Sequence, residues 1–361
     1  MPILPAAAEK MGANLAVAGL LGGIVLLGTV LFDLPAGRLV ALIGERKSMI
    51  VSALIACIAL IGAQLSSNIY ELGACMVVLG AMNAAFGLAR HSYLAEHVPF
   101  EQRARTLSLM GGMFRGGALI GPLLGSAVIY AFGIQWVYSV AVGLTLISAI
   151  ILFFAPKDPV MEVTEAVRLT PVKLAFKYRE RLLSVGLAAM MVSVMRTARA
   201  VGLPLWGIYT HMHPGTVELF IGIAGALDFA LFYTSGQIMD KYGRRWALIP
   251  MLVGMGVANF ALLWAHNATA FLIVALIMSL ANATGSGLVL TLGADMAPPE
   301  ERSDFLALWR LLTDGGSAIT PMLLAALTAA IALPGAIGVF GTLSLAAAAW
   351  GYRSLNKLGI R

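Results

Sequence analysis

Three charged side chains fall at one depth in a chain that is otherwise poor in charge. Arg115 lies twelve residues beyond Arg103, Asp228 twelve before Asp240, and Asp314 twelve past Arg302. If these segments are helical, a rise of 1.5 Å per residue carries each group about 18 Å from a charged helix end. A carboxylate held at that depth can load and release a proton at moderate pH, and an arginine there must face a cavity or a partner. Arg196 and Arg199, three residues apart, share one helix face, while Arg310 sits nearer a charged end and Arg90 late in its segment. Alternatively, such arginines reach toward the interface or satisfy helix ends. The chemistry on offer is proton movement and anion binding. Nothing points to covalent catalysis, because no nucleophile elbow, phosphate loop or zinc-enzyme helix motif occurs. His211 and His213 lack a third ligand nearby and read as loop residues, so neither a metal nor a cofactor is expected.

The elements that must position these charges follow from the composition. Of 361 residues, 60% are hydrophobic and only 12% charged, about half the usual charged share for a soluble protein. No Asp, Glu, Lys or Arg occurs from Gly116 to Pro156, Trp246 to Ala294, or Gly315 to Tyr352. Each run has room for two crossings of roughly 20 residues and a hairpin. Apolar segments lie near 14–43, 48–66, 71–97, 104–132 and 135–155, then near 182–209, 216–239, 246–265, 269–295, 303–331 and 333–353. The pattern predicts an all-α polytopic membrane protein of eleven helices: a bundle over 1–155, a charged linker over 156–181 and a second bundle over 182–361. An ordinary soluble domain, a disordered chain, a nucleic-acid binder and a secreted disulfide scaffold are all excluded. Cys57 and Cys75 lie in apolar segments and read as packing or lipid-facing residues. If the loops around 44–47, 98–105, 156–181, 241–245 and 298–304 and the C-terminal tail face the cytoplasm, that side and its helix margins hold 19 of 24 basic residues. Positive charge marks the inner side, so the C-terminus is expected to be cytoplasmic in a bacterial inner membrane.

A shift of 199 residues superimposes Gly37 on Gly236, Gly44 on Gly243, Arg46 on Arg245, Asn83 on Asn282, Arg103 on Arg302 and Pro122 on Pro321. The halves are therefore parallel repeats, and Arg115 corresponds to Asp314. The same shift leaves Leu182 to Gly202 without a counterpart before Met1, so most of a first helix is expected to be missing, by an internal start or as a natural eleven-helix variant.

The segment Gly236 to Arg245, GQIMDKYGRR, joins two helices by a sharp turn, with a first glycine for close approach and a second for the turn itself. Asp240 is placed to pair with Arg244 or Arg245, where these cap carbonyl ends. Its first-half copy runs from Gly37 to Lys47, preceded by Asp33. This pair of loops resembles the conserved loop of the major facilitator superfamily, found between helices 2 and 3 and again between 8 and 9. The resemblance implies two pseudo-symmetric bundles with twelve helices when complete, a midplane cavity, and a cytoplasmic gate built here from Asp33, Gly37, Gly44, Arg46, Lys47, Gly236, Asp240, Gly243, Arg244 and Arg245. Ala41 stands where the family carries an acid, which weakens the first copy. Gly117, Gly121, Pro122 and Gly125 resemble the family's antiporter motif, with Ser126 departing from its last glycine; a kinked packing helix is the alternative reading. The resemblance implies a secondary transporter, not an enzyme. We expect it to export a small organic molecule in exchange for protons, with Asp228 or Asp314 as proton carrier and Arg115, Arg196 and Arg199 in the cavity. Alternatives are a proton-coupled importer and a non-transporting sensor on the same fold. Arg115 and Asp228 are expected to pair between the halves. The excess of interior arginine points to anionic or amphiphilic substrates. Other expected partners are protons and membrane lipid, with no nucleic acid, in a monomer.

Overall fold

The structure is a computed structural model and describes residues 3–97, 100–156, 175–298 and 302–357. Helices dominate, and no strand occurs among the described residues. We label them α1 (Ile3–Lys10), α2 (Leu15–Ile43), α3 (Glu45–Leu65), α4 (Ile69–His97), α5 (Phe100–Phe132) and α6 (Trp136–Phe153). A short entry through Arg179–Arg181 and a π-helical turn, Leu182–Gly186, leads into α7 (Leu187–Tyr209). Then come α8 (Pro214–Tyr242), α9 (Arg245–Leu262), α10 (Ala268–Thr284), α11 (Leu288–Met296) and α12 (Arg302–Lys357). Ten helical spans among the described residues are long and apolar enough to cross a membrane. The last of these, within α12, is broken at Ile331 and Ala332 into the two limbs that the sequence reads as separate segments.

In hydrocarbon every backbone polar group must be satisfied within the protein, so apolar stretches of this length form helices. Their ends carry the expected devices. Asn14, His213 and Asn267 accept the first free amides of α2, α8 and α10 through their side chains. Gly44 (φ 84°) and Gly243 (φ 94°) make the turns out of α2 and α8, a left-handed φ that glycine adopts without a Cβ clash. We call the bundle end bearing these two turns the turn end and its opposite the far end. The outer surface is apolar, with Leu42 82% and Phe154 80% exposed, as lipid contact requires. Exposed aromatics gather at both ends: Tyr70, Trp136 and Trp264 at the far end, Tyr242, Trp246 and Trp350 at the turn end. Such rings prefer the two membrane interfaces.

Two departures from the sequence reading bear on the site. Residues 3–10, read as preceding the first segment, form a buried helix packed on α2 and α7. The single segment near 269–295 is interrupted between α10 and α11, where Gly287 (φ 76°) starts the second piece. A break inside a span frees carbonyls that need new donors. Ser235 Oγ donates to Thr284 O (2.6 Å) and Ser286 O (2.9 Å), and Arg196 Nη2 donates to Gly285 O (2.7 Å). An intramembrane arginine thus does part of its work by closing a helix break.

Among the early helices α2 packs on α4, and α3 on α4 and α6; among the later ones α7 and α9 pack on α12, and α10 on α8 and α9. These groups meet through α5 on α8, α2 on α12, and α1 on α7. The close meetings lie in the far-end half: Ser126 Oγ donates to Gly215 O (2.8 Å), Tyr130 Oη bonds Thr216 Oγ1 (2.6 Å), and Gly23 abuts Pro321.

Candidate functional site

Between the two groups of helices lies a cavity of about 640 Å³. Arg115, Arg196, Arg199 and Asp228, four of the five cavity candidates, all line it. The fifth, Asp314, sits elsewhere: its carboxylate is 3.9 Å from Arg310 one turn earlier, with side chains 61% and 69% exposed. Asp33 on α2 interacts electrostatically with both. Equal depth therefore does not bring Asp314 to the cavity, because depth along a helix leaves its rotation undetermined.

Asp228 is held mainly from its own group of helices. Arg199 Nη1 donates to its Oδ2 at 2.7 Å, Ser279 Oγ to the same oxygen at 3.3 Å, and Asn282 Nδ2 to Oδ1 at 3.1 Å. Arg199 Nη2 also donates to Ser279 Oγ at 2.5 Å. Arg196 extends the network by donating through Nε to Asn282 Oδ1 (3.0 Å). Three donors on one carboxylate stabilise its charge and fix its orientation. The expectation that Arg115 is the contact partner is thereby revised: Arg199 takes that place, and Arg115 reaches the same cavity from α5 and interacts with Asp228 electrostatically.

The repeat clarifies why the charges are on this side. Asp228 and Ser279 correspond, at the 199-residue shift, to Thr29 and Gly80. In the first half Thr29 Oγ1 donates to Gly80 O (3.1 Å), and α2 and α4 come so close that a Cβ on Gly80 would lie 2.9 Å from Gly28 Cα. The same helix pairing is made by small residues in one repeat and by an ionic network in the other.

Glu218 lines the cavity too and is only 4% exposed. Sequence reasoning passed over it because it lies near the start of its segment, where charge is ordinary. It stands on α8 ten residues before Asp228, about 15 Å along the axis, toward the far end. Gly117, Gly121, Pro122 and Gly125 also line the cavity. A Cβ at Gly117 or Gly121 would meet nothing within 4 Å, so these glycines widen the cavity; the tight α5–α8 contact is made by Ala118 and Leu123 against Gly225 and Gly222. Among the described residues no three His, Cys, Asp or Glu side chains gather to hold a metal ion.

At the turn end, Arg244 Nε contacts Asp295 Oδ2 at 2.8 Å and its Nη1 donates to Met239 O at 3.0 Å. The Asp295 hydrogen bond holds the Arg244 guanidinium above its ordinary pKa. Asp240, the partner read from sequence, contributes through its charge alone in that balance, and Asp295 was missed. The repeat held a signal for it, because Asp295 corresponds to Glu96. Arg46 donates to Leu152 O (3.0 Å) and to Phe153 O at the end of α6, while its counterpart Arg245 bonds Asn356 Oδ1 (2.6 Å) at the end of α12. Each arginine ties its turn to the last helix of its own repeat. Lys47 is exposed, and Ala41 has no described side-chain surroundings. Gly37 keeps ordinary distance from Leu88 (3.8 Å) and Gly236 has open space, so neither makes the close helix approach expected. His213 caps α8 and stacks on Tyr130, with centroids 4.9 Å apart.

A helical membrane protein with a charged cavity between two sets of repeated helices has the architecture of a carrier. The chain matches the Major Facilitator Superfamily model twice, over residues 1–195 and 185–357, and belongs to that family. It is 25% identical over 197 residues to an uncharacterized MFS-type transporter, YfiS, of Bacillus subtilis (strain 168); the match covers 48% of this chain and 47% of that relative, about half its length. Its fold resembles a POT family transporter in complex with a thioalcohol-conjugated peptide (TM-score 0.77, 12% identity, 99% and 92% of the two chains). It also resembles a bacterial homologue of the human lysosomal transporter Spinster, solved inward-facing and unoccupied (0.74, 15%, 98% and 90%). A third resemblance is to a D-xylose–proton symporter (0.70, 16%, 97% and 91%).

Proposed function

We propose that this protein is a secondary active transporter that exports a small organic molecule in exchange for protons, its two bundles, 1–155 and 182–361, rocking about the cavity. The observation that carries this reading is the Arg199–Asp228 pair in the cavity wall, 2.7 Å apart, beside the α5–α8 meeting. A proton taken up by Asp228 removes the charge that holds Arg199, Ser279 and Asn282, so proton and substrate occupancy bear on the same side chains. On this reading the turn end is cytoplasmic, as the concentration of basic residues favours, the far end is the closed outer gate, and the protein works as a monomer in a bacterial inner membrane. Export is favoured by the likeness of Gly117, Gly121, Pro122 and Gly125 to the antiporter motif. Proton-coupled import is the second reading, since a D-xylose–proton symporter shares the fold.

The test is a proteoliposome assay with an internal pH indicator and an imposed pH gradient. Candidate organic compounds should drive proton flux opposite to their own movement, and Asp228→Asn should abolish the proton response. Flux of both species in the same direction would replace export by import, and substrate movement indifferent to the gradient would remove proton coupling.

A further inference from the structure

We propose that Glu218 is a second proton-carrying residue, set directly beneath the closed far end and working in series with Asp228. This rests on the transport reading and names the group that meets protons first at that face.

Glu218 is 4% exposed and lines the cavity. The contacts that shut the far end begin within a turn of it on the same helix: Gly215 O accepts from Ser126 Oγ, Thr216 Oγ1 bonds Tyr130 Oη, and His213 stacks on Tyr130. Gly215 and Thr216 precede Glu218 by three and two positions, about 3–4.5 Å nearer the far end. On α5, Gly125 adjoins Ser126, and a Cβ built on it would lie 4.0 Å from Glu218 Oε2. The carboxylate therefore sits against the other group of helices, on the cavity side of the closure. Parting α5 from α8 would open it to the far face.

Glu218, Ile221, Gly225 and Asp228 follow one another at helical spacing and all line the cavity, so one stripe of α8 joins the two carboxylates. A volume of about 640 Å³ has room for a file of waters between them. Their surroundings differ. Asp228 has three donors that favour its charged form. The charge acting on Glu218 is that of the chain's amino terminus. Around this end of α8 the other ionisable groups are Tyr130 on α5, Tyr138 on α6, Tyr209 on α7, and Glu9 and Lys10 at the end of α1, while His211 and His213 precede α8 itself. The α10 helix, packed along α8, contributes none. Arg115, Arg196 and Arg199 line the cavity with Asp228.

The chemistry is one proton transfer at each stage. With the far end open, a hydronium at that face gives its proton to a Glu218 carboxylate oxygen, forming an O–H bond. The neutral acid is the form that a closing apolar seam disfavours least. With the far end shut, the O–H bond breaks to cavity water, which delivers the proton toward Asp228, and the amino terminus offsets the charge left behind.

The experiment uses dicyclohexylcarbodiimide, an apolar reagent that adds to protonated carboxyl groups and leaves an N-acylurea readable by peptide mass spectrometry. The full chain is reconstituted in oriented vesicles with the pH of each face set independently. Glu218 should be modified, at a rate that falls about tenfold from acid to alkaline pH and responds to the pH of either face, since each reaches it in turn. Glu218→Gln should lose the label and cut the proton flux driven by candidate organic compounds about tenfold. Glu218→Asp should keep the label and part of the flux, which guards against a fold defect. No modification of Glu218 at any pH, as for a permanent ion pair, modification indifferent to the far-face pH, or wild-type flux in Glu218→Gln would overturn the proposal. Labelling that follows pH in vesicles that move no compound supports the proton site and sinks the transport reading; proton-coupled movement with Glu218 unlabelled does the reverse.

Discussion

Replacing Asp228 by Asn exposes how the network is balanced. The carboxylate accepts from Arg199 and Ser279 on Oδ2 and from Asn282 on Oδ1, so every neighbour is a donor. An asparagine offers one oxygen and one NH2, and either orientation turns that NH2 toward a donor. Asn282 cannot simply flip to compensate, because its oxygen already accepts from Arg196 Nε at 3.0 Å. Arg199 is left charged with its side chain only 12% exposed. Breaking one side of a buried pair costs roughly 3–5 kcal/mol. With Asp228 22% exposed to the cavity, water offsets part of the loss, which puts the expected value near the lower end, about 3 kcal/mol. Removing both charges in Arg199→Gln with Asp228→Asn should cost less than the sum of the single changes, a coupling of about 2 kcal/mol. Reversible unfolding in SDS mixed micelles, followed for wild type, both singles and the double, measures that cycle. Single-mutant losses that add within about 0.5 kcal/mol would show that Arg199 and Asp228 are not energetically paired and would refute the reasoning.

Gly80→Ala should lower detergent melting temperature, since the new Cβ would meet Gly28 Cα at 2.9 Å where neither backbone can yield; overpacking of this kind costs about 1–3 kcal/mol. Gly222→Val should push α5 from α8 at Leu123, where a Cβ would come within 2.5 Å, and raise far-end cysteine accessibility without changing turn-end packing. Asp295→Asn should alter turn-end accessibility more than Asp240→Asn, because Asp295 makes the 2.8 Å contact with Arg244; its effect on unfolding should stay under about 1 kcal/mol for so exposed a pair.

Charge-free runs and the 199-residue repeat were enough to lay out the helices, because membrane spans are written in composition and length. They were not enough to show the break at Gly285–Gly287, whose neighbours are as apolar as any span and whose freed carbonyls are satisfied by distant Ser235 and Arg196. Counting residues from a charged end gave the depth of Arg115, Asp228 and Asp314 alike, yet only the first two line the cavity, since rotation about the axis depends on which faces pack. Asn282 was visible as the repeat of Asn83, but its role between Arg196 and Asp228 comes from the meeting of α7, α8 and α10, a tertiary fact. Glu218 was hidden by its position near a helix start, and Asp295 by a motif reading that looked for a partner inside the loop itself.

Transport by rocking requires the same cavity to be reached from both faces of the membrane in turn. Ala200 lines the cavity and is exposed in it, so a chain with Cys57 and Cys75 replaced by alanine and Ala200→Cys added carries one reporter. The measurement is the rate at which a membrane-impermeant maleimide modifies that cysteine when added to either face of oriented vesicles, with the pH gradient set in each direction. The account predicts modification from both faces, with opposite changes in the two rates as the gradient is reversed. Modification from one face alone, at every pH and with every candidate compound present, would contradict it.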